Sequence, residues 1–217
     1  MDPMQQAREY FEAQAFQKAI DLLNQFLSDN PENADALYLR GICHRRLGAF
    51  ELSIADFTTM LIRLPDEPTI LSERGVSYYH NNNLTAALKD MDRAVALEPE
   101  NSYRYSSRAY IKAKVDVNGA MEDYKKAVEL DPEDAIALNN LGLLEESAGK
   151  LSSAKKHFDR SNQIIGYNPD KRNAGRKKAI EPEKKETLGK VMLDVFRDKE
   201  TRKDYFKFLK NILKKKR

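Results

Sequence analysis

Residues 69–83, TILSERGVSYYHNNN, run directly into residues 84–99, LTAALKDMDRAVALEP. The first segment sets Leu71, Gly75 and Tyr78 at spacings of four and three, which is one face of a helix. The second sets Leu84, Ala87, Leu88, Met91 and Val95 on one face in the same way. Between them, Asn81-Asn82-Asn83 reads as a turn, because Asn tolerates the left-handed backbone that closes a helix. Pro99 ends the second helix, since it has no N–H to continue the hydrogen-bond ladder. The stretch is therefore a helix–turn–helix unit.

The unit recurs along the chain. Pro31, Pro65, Pro99 and Pro132 are spaced 34, 34 and 33 apart. A small-residue series, Ala7, Gly41, Gly75, Ala109 and Gly142, keeps the same step. So do a second small series, Ala19, Ser53, Ala87, Ala120 and Ala154, and a bulky one, Leu23, Phe57, Met91, Tyr124 and Phe158. Gly48 and Gly149 stand at the turn position that Asn81-Asn82-Asn83 occupies in the third unit. The small residues are expected to face each other within a pair, letting its two helices approach, while the bulky residues fill the gap to the next pair. One pair cannot bury both of its faces, so neighbouring pairs must stack.

This pattern resembles the tetratricopeptide repeat family, whose units carry small residues at positions eight and twenty, a bulky one at twenty-four and Pro at thirty-two. The resemblance covers residues 1–168 as five units, 1–33, 34–67, 68–101, 102–134 and 135–168. It implies an all-α fold, a right-handed superhelical solenoid of antiparallel helix pairs. Three departures are local. The first unit lacks its opening residue, and the fourth has lost one residue between Ala109 and Ala120, near KVDVNG. The fifth has Gly166 where Pro is expected, with Pro169 three residues later.

Composition agrees with a helical chain. Of 217 residues, 41% are hydrophobic and 33% charged, with eight Pro, nine Gly and no Trp. A single Cys excludes an intramolecular disulfide framework and points to a reducing compartment. No apolar run approaches the about 20 residues of a membrane span. The N-terminal MDPMQQAREYFEAQ has neither the basic nor the apolar region of a secretory signal. The expected location is cytoplasmic, with nuclear or cytoskeletal association as variants.

The net charge of +3 hides an asymmetry. Residues 169–217 hold 18 Lys and Arg against 8 Asp and Glu, which leaves 19 basic and 26 acidic residues in 1–168. Opposite charge in two parts suggests two roles, or one part that binds the other.

No catalytic constellation is visible, so the expectation is a non-enzymatic protein without cofactor or metal. There is no HExxH or CxxC spacing. Of the three histidines, His44 stands where the family usually packs a Tyr, His80 is placed towards the inner face, and His157 is expected to be exposed. Gly149-Lys150-Leu151-Ser152 imitates a phosphate loop but has Leu144 where the earlier Gly belongs and Leu151 after the Lys. Asn83-Leu84-Thr85 is a glycosylation sequon with no other sign of secretion. Cys43 reads as a small buried apolar residue.

The resemblance implies a concave groove lined by first helices. Carried over position by position, the groove residues are Tyr38, Arg45, Tyr79, His80, Tyr103, Tyr110, Lys114, Asn139 and Asn140, with Ile42, Arg46, Glu73, Val76, Leu143 and Glu146 beside them. Tyrosines offer large contact area at low entropy cost, and Asn can hydrogen-bond an extended backbone. Such a surface suits a peptide or helix of another protein. The family's co-chaperone members grip a C-terminal carboxylate with a Lys/Asn/Arg clamp. The three frames open to this sequence supply Met4, Arg8, Leu39, Thr69 and Glu73; Tyr38, Ile42, Glu73, Tyr103 and Ser107; or Ser72, Val76, Ser107, Ile136 and Asn140. None has the cations, so a clamp of that type is not expected.

Beyond Tyr167 the repeat stops. Residues 169–187 read as a basic linker, and 188–217 as an amphipathic basic C-terminal helical segment. Leu188, Val191, Met192, Val195 and Phe196 form one apolar stripe there, and Tyr205, Phe206, Phe208, Leu209, Ile212 and Leu213 a second. This segment could cap the array, dock on it, or meet an acidic surface through Phe206, Leu209, Lys210 and Leu213. A tubulin tail and nucleic acid belong to the last reading, although no RNA-binding motif accompanies the aromatics. The leading expectation is an interaction scaffold that binds a partner protein in its groove; the alternative is a polyanion-binding adaptor acting through the tail.

Overall fold

Each of the four late prolines sits two residues beyond the last residue of a helix. A computed structural model describes residues 2–168, and the linker and C-terminal segment, with Phe206, Leu209, Lys210 and Leu213, lie outside the described residues. Ten helices and no strand occur among the described residues. They are α1 Pro3–Glu12, α2 Phe16–Asp29, α3 Ala34–Arg46, α4 Phe50–Arg63 and α5 Pro68–His80. Then follow α6 Leu84–Leu97, α7 Ser102–Lys112, α8 Val117–Leu130, α9 Ala135–Ser147 and α10 Leu151–Ile164. Each helix packs on the next in sequence, and α1, α3, α5 and α7 also touch in succession along one side. The architecture is an all-α helical repeat solenoid.

Local chemistry sets the helix ends. Side chains of Asp2, Asn33, Glu67, Asn101 and Asp134 accept backbone N–H groups at the starts of α1, α3, α5, α7 and α9. Within the pairs, the chain turns through a left-handed residue at Gln14, Gly48, Asn82 and Gly149, with φ of 56°, 79°, 59° and 76°. The turn between α7 and α8 has no such residue. There the helix is 11 residues long instead of the 13 of α3, α5 and α9. The missing residue is absorbed by closing α7 early, with the Asp116 N–H donating to the Lys112 carbonyl at 2.8 Å.

The bulky series forms the core: Leu23, Phe57 and Met91 are fully buried and Tyr124 nearly so. It reaches the next pair as expected, Met91 clustering with Ile111 of α7 and Tyr124 with Ala137 and Leu141 of α9, and it packs within its own pair as well. The Phe57 ring lies directly on Gly41 of its own pair, where an added Cβ would stand 3.0 Å from the ring tip. Phe158 covers Gly142 in the same way, and Met91 covers Gly75. The first-helix glycine is therefore a seat for the bulky residue of the same pair, rather than only a point of helix approach. The second small series makes the expected approach within a pair at Ala87, whose carbonyl would stand 3.2 Å from a Cβ on Gly75, and its Ser53 makes a contact between pairs. Ser53 and Ser77 bond at 2.8 Å in the buried contact of α4 with α5. Ser77 spends its proton on the Glu73 carbonyl, so Ser53 is the donor.

A charged ladder accompanies the apolar one. Arg40 donates Nε and Nη2 to Asp56 at 3.0 and 2.5 Å, and Nη1 to Asn24 of the preceding pair at 2.8 Å. Arg74 repeats this with Asp90 and Thr58, and Arg108 with Asp123 and Asp92. Each guanidinium thus ties three helices together, and the two-pronged geometry needs Arg rather than Lys.

Candidate functional site

The side formed by the first helices carries a cavity of about 280 Å³ between α5, α7 and α9. Val76 and Tyr79 reach it from α5, and Tyr103, Ser106, Ser107, Tyr110 and Ile111 from α7. Ile136 and Asn140 line it from α9, Asp134 from the cap of α9, and Tyr124 from α8 below. Helical spacing explains the set. Tyr103, Ser107 and Tyr110 step by four and three along α7, so they share a face.

The rings are ordered by one another. Tyr79 and Tyr110 meet edge to face with centroids 5.5 Å apart. The neighbouring Tyr79 hydroxyl raises the Tyr110 phenol above its ordinary value. Burial pushes Tyr124 up to about 12, so it stays a neutral phenol. Tyr103 and Tyr110 are exposed by 59% and 54%, so they stand open to a ligand instead of filling the core. The Ser106 hydroxyl oxygen is buried and has no hydrogen-bond partner among the described residues.

Of the groove residues expected from the sequence, the structure brings together Tyr79, Tyr103, Tyr110 and Asn140. The others lie outside its lining, although His80 meets Tyr79 edge to face at 5.2 Å. Tyr38 is half-buried and packs edge-on against Phe57 at 6.0 Å. Arg45 is paired with Glu73 across two first helices, and its charge is committed there. His80 stacks on Phe50 at 5.4 Å. Lys114 is exposed in the turn past the end of α7, and Asn139 is exposed on α9 next to the cavity residue Asn140. Ile111, Tyr124 and Asp134 are cavity residues that the groove positions did not supply. Tyr124 belongs to the bulky core series, and a core residue that also floors a cavity has no separate periodic signal.

His157 departs from its expected exposure. It is half-buried, with Nδ1 2.8 Å from Glu145 Oε2, and Ser153 donates to the same oxygen at 2.6 Å. A serine and a histidine that both bond one carboxylate oxygen leave the serine without a base, so this trio ties α10 to α9. Burial raises the Glu145 carboxyl, but the bonds from Ser153 and His157 outweigh it and hold it below the ordinary value. No group of three or more His, Cys, Asp or Glu side chains suited to a metal occurs among the described residues. No helix among them is long and apolar enough to cross a membrane.

Comparison with known proteins agrees with this architecture. Residues 4–68 and 50–102 match the family described as Tetratricopeptide repeat, and residues 113–149 match that described as TPR repeat. The human Protein SGT1 homolog is 28% identical over 93 residues, covering 43% of this chain and 26% of that protein. The chain thus spans about a quarter of the length of this curated relative. Among solved structures, residues 41-end of MamA from Desulfovibrio magneticus superimpose with a TM-score of 0.65 at 19% identity, covering 76% of this chain and 96% of that one. YrrB, described as a TPR protein with an unusual peptide-binding site, gives 0.58 at 18% identity over 82% of this chain and 91% of that one. At these identities the two structures speak to the fold alone.

Proposed function

The chain belongs to the tetratricopeptide repeat family, and on that footing we propose that it is a non-enzymatic adaptor holding a segment of another protein against its first helices. One observation carries the reading. Tyr79, Tyr103 and Tyr110, from successive first helices, open side by side into one cavity of about 280 Å³. Exposed aromatic rings around a concave, mostly apolar site are the usual anchors of a protein interface. A peptide lying along α5, α7 and α9 would bury those rings, and Asn140 would bond its backbone. The residue-level assignment is Tyr79, Tyr103 and Tyr110 as anchors with Asn140 setting orientation.

Affinity capture tests this. The wild-type chain and the Tyr79→Ala/Tyr110→Ala variant serve as baits, compared by quantitative mass spectrometry after matched helix content has been verified. Each truncated anchor is expected to cost about 1–2 kcal/mol, so retained proteins should drop by at least tenfold. An unchanged set of retained proteins would refute binding through this face.

A further inference from the structure

We propose that the cavity between α5, α7 and α9 receives a basic side chain, lysine or arginine, of the bound segment. The inference rests on the groove reading above and names the chemistry of its anchor. Four phenol rings, those of Tyr79, Tyr103, Tyr110 and Tyr124, line the cavity, and no Lys or Arg does. Ring faces are negative and attract a cation, with Lys or Arg over an aromatic ring the commonest form. This chain already shows the preference: the Arg104 guanidinium sits 5.7 Å from the centroid of the Tyr103 ring. That arginine is buried and bonded to Glu98, Ser72 and Thr69, so its charge is compensated within the fold.

Asp134 supplies the charge partner. It lines the cavity, and its Oδ1 accepts the N–H groups of Ile136 and Ala137 at 2.9 Å each. Both bonds use one oxygen, which leaves Oδ2 for a ligand. The same bonds occupy the start of α9, so that helix end is not open to an incoming carboxylate. An acidic anchor would meet no cation in the lining, and the nearby Arg45 is held by Glu73. The wider field agrees, with 26 acidic against 19 basic residues in 1–168. The volume, about 280 Å³, has room for a long side chain. A methylene stem would lie on Val76 and Ile136 with its head at Asp134.

The test selects peptides from a random nonapeptide display library on the 217-residue chain. Binding of the selected fluorescein-labelled peptides is then measured by anisotropy. Three variants are compared: Asp134→Asn, Tyr79→Ala/Tyr110→Ala, and a peptide whose anchor is changed to Leu. Asn still caps α9, so D134N keeps the fold. The expected result is Lys or Arg at one enriched position, with about tenfold weaker binding for D134N and for the Leu peptide. Peptides that need the two tyrosines but carry an apolar or acidic anchor, or that ignore D134N, would overturn the basic assignment and leave the groove reading standing. Selected peptides indifferent to the tyrosines, or none selected at all, would overturn both.

Discussion

Arg74 grips Asp90 with two parallel hydrogen bonds, Nε to Oδ2 and Nη2 to Oδ1, both 2.8 Å. The bonds raise the Arg74 pKa further above its ordinary value, with burial opposing them. Asp90 is 5% exposed, so removing its partner strands a carboxylate away from water. Arg74→Ala should lower the unfolding free energy by about 3 kcal/mol in urea titration. The double change with Asp90→Ala should cost less than the sum of the singles, since the stranded charge goes too. Additive singles would mean that the pair does not act as a unit.

Gly142 should not tolerate a methyl group. A Cβ there would lie 2.7 Å from the Phe158 ring. Alanine gains about 1 kcal/mol of helix propensity over glycine, yet the displaced ring outweighs that gain. Gly142→Ala is expected to destabilise by about 1–2 kcal/mol, and Phe158→Leu in the same chain to recover part of the loss by removing the ring edge. Thermal melts of the wild type and the two variants decide it, and a stabilised Gly142→Ala would contradict the packing.

Much of this was legible from spacing alone. The small, bulky and proline series locate the helix pairs because each marks a steric requirement that recurs once per unit. Arg40, Arg74 and Arg108 also recur at 34 and 34, and Asp56, Asp90 and Asp123 at 34 and 33. That signal is ambiguous in the sequence, because charged residues read by default as solvated and nothing in a spacing tells an exposed arginine from one bridging three helices. The site was legible in part for the same reason. Position rules put Tyr79, Tyr103, Tyr110 and Asn140 on the inner side, where they meet. They also put Arg45 there, but its partner Glu73 stands on the next first helix, a pairing that position rules for single helices do not express.

Acid should weaken the fold in two steps. Burial depresses the His44 pKa below 6.5, reinforced by Arg40 and opposed by Asp56. The unfolded chain therefore takes up this proton first as pH falls. The stability is full above about 6.5 and declines from there towards the folded-state value. Glu145, also depressed, contributes stability that is present above about 4.5 and is lost as pH falls through its folded-state value. The thermal midpoint should fall between pH 7 and 5.5, and His44→Gln should flatten that first decline. An unchanged pH slope in the variant would remove His44 from the account.

Cys43 should be chemically silent in the native state. It is fully buried, and desolvation pushes its thiol up to about 11. Reaction with a disulfide reagent at pH 7.5 should follow opening of the α3–α4 pair, speeding sharply in urea near the unfolding midpoint. Immediate labelling in buffer would show that this pair is not packed as described.

The most direct test of the groove reading uses a photocrosslinking residue at Ser107, which lines the tyrosine cavity, and at Lys89, exposed on the second helix α6. With the Tyr79/Tyr110-dependent partner bound, illumination should join it to the chain carrying the probe at 107 and leave the probe at 89 unreacted. Crosslinking at 89 and none at 107 would place the partner away from the first helices and contradict the proposed function.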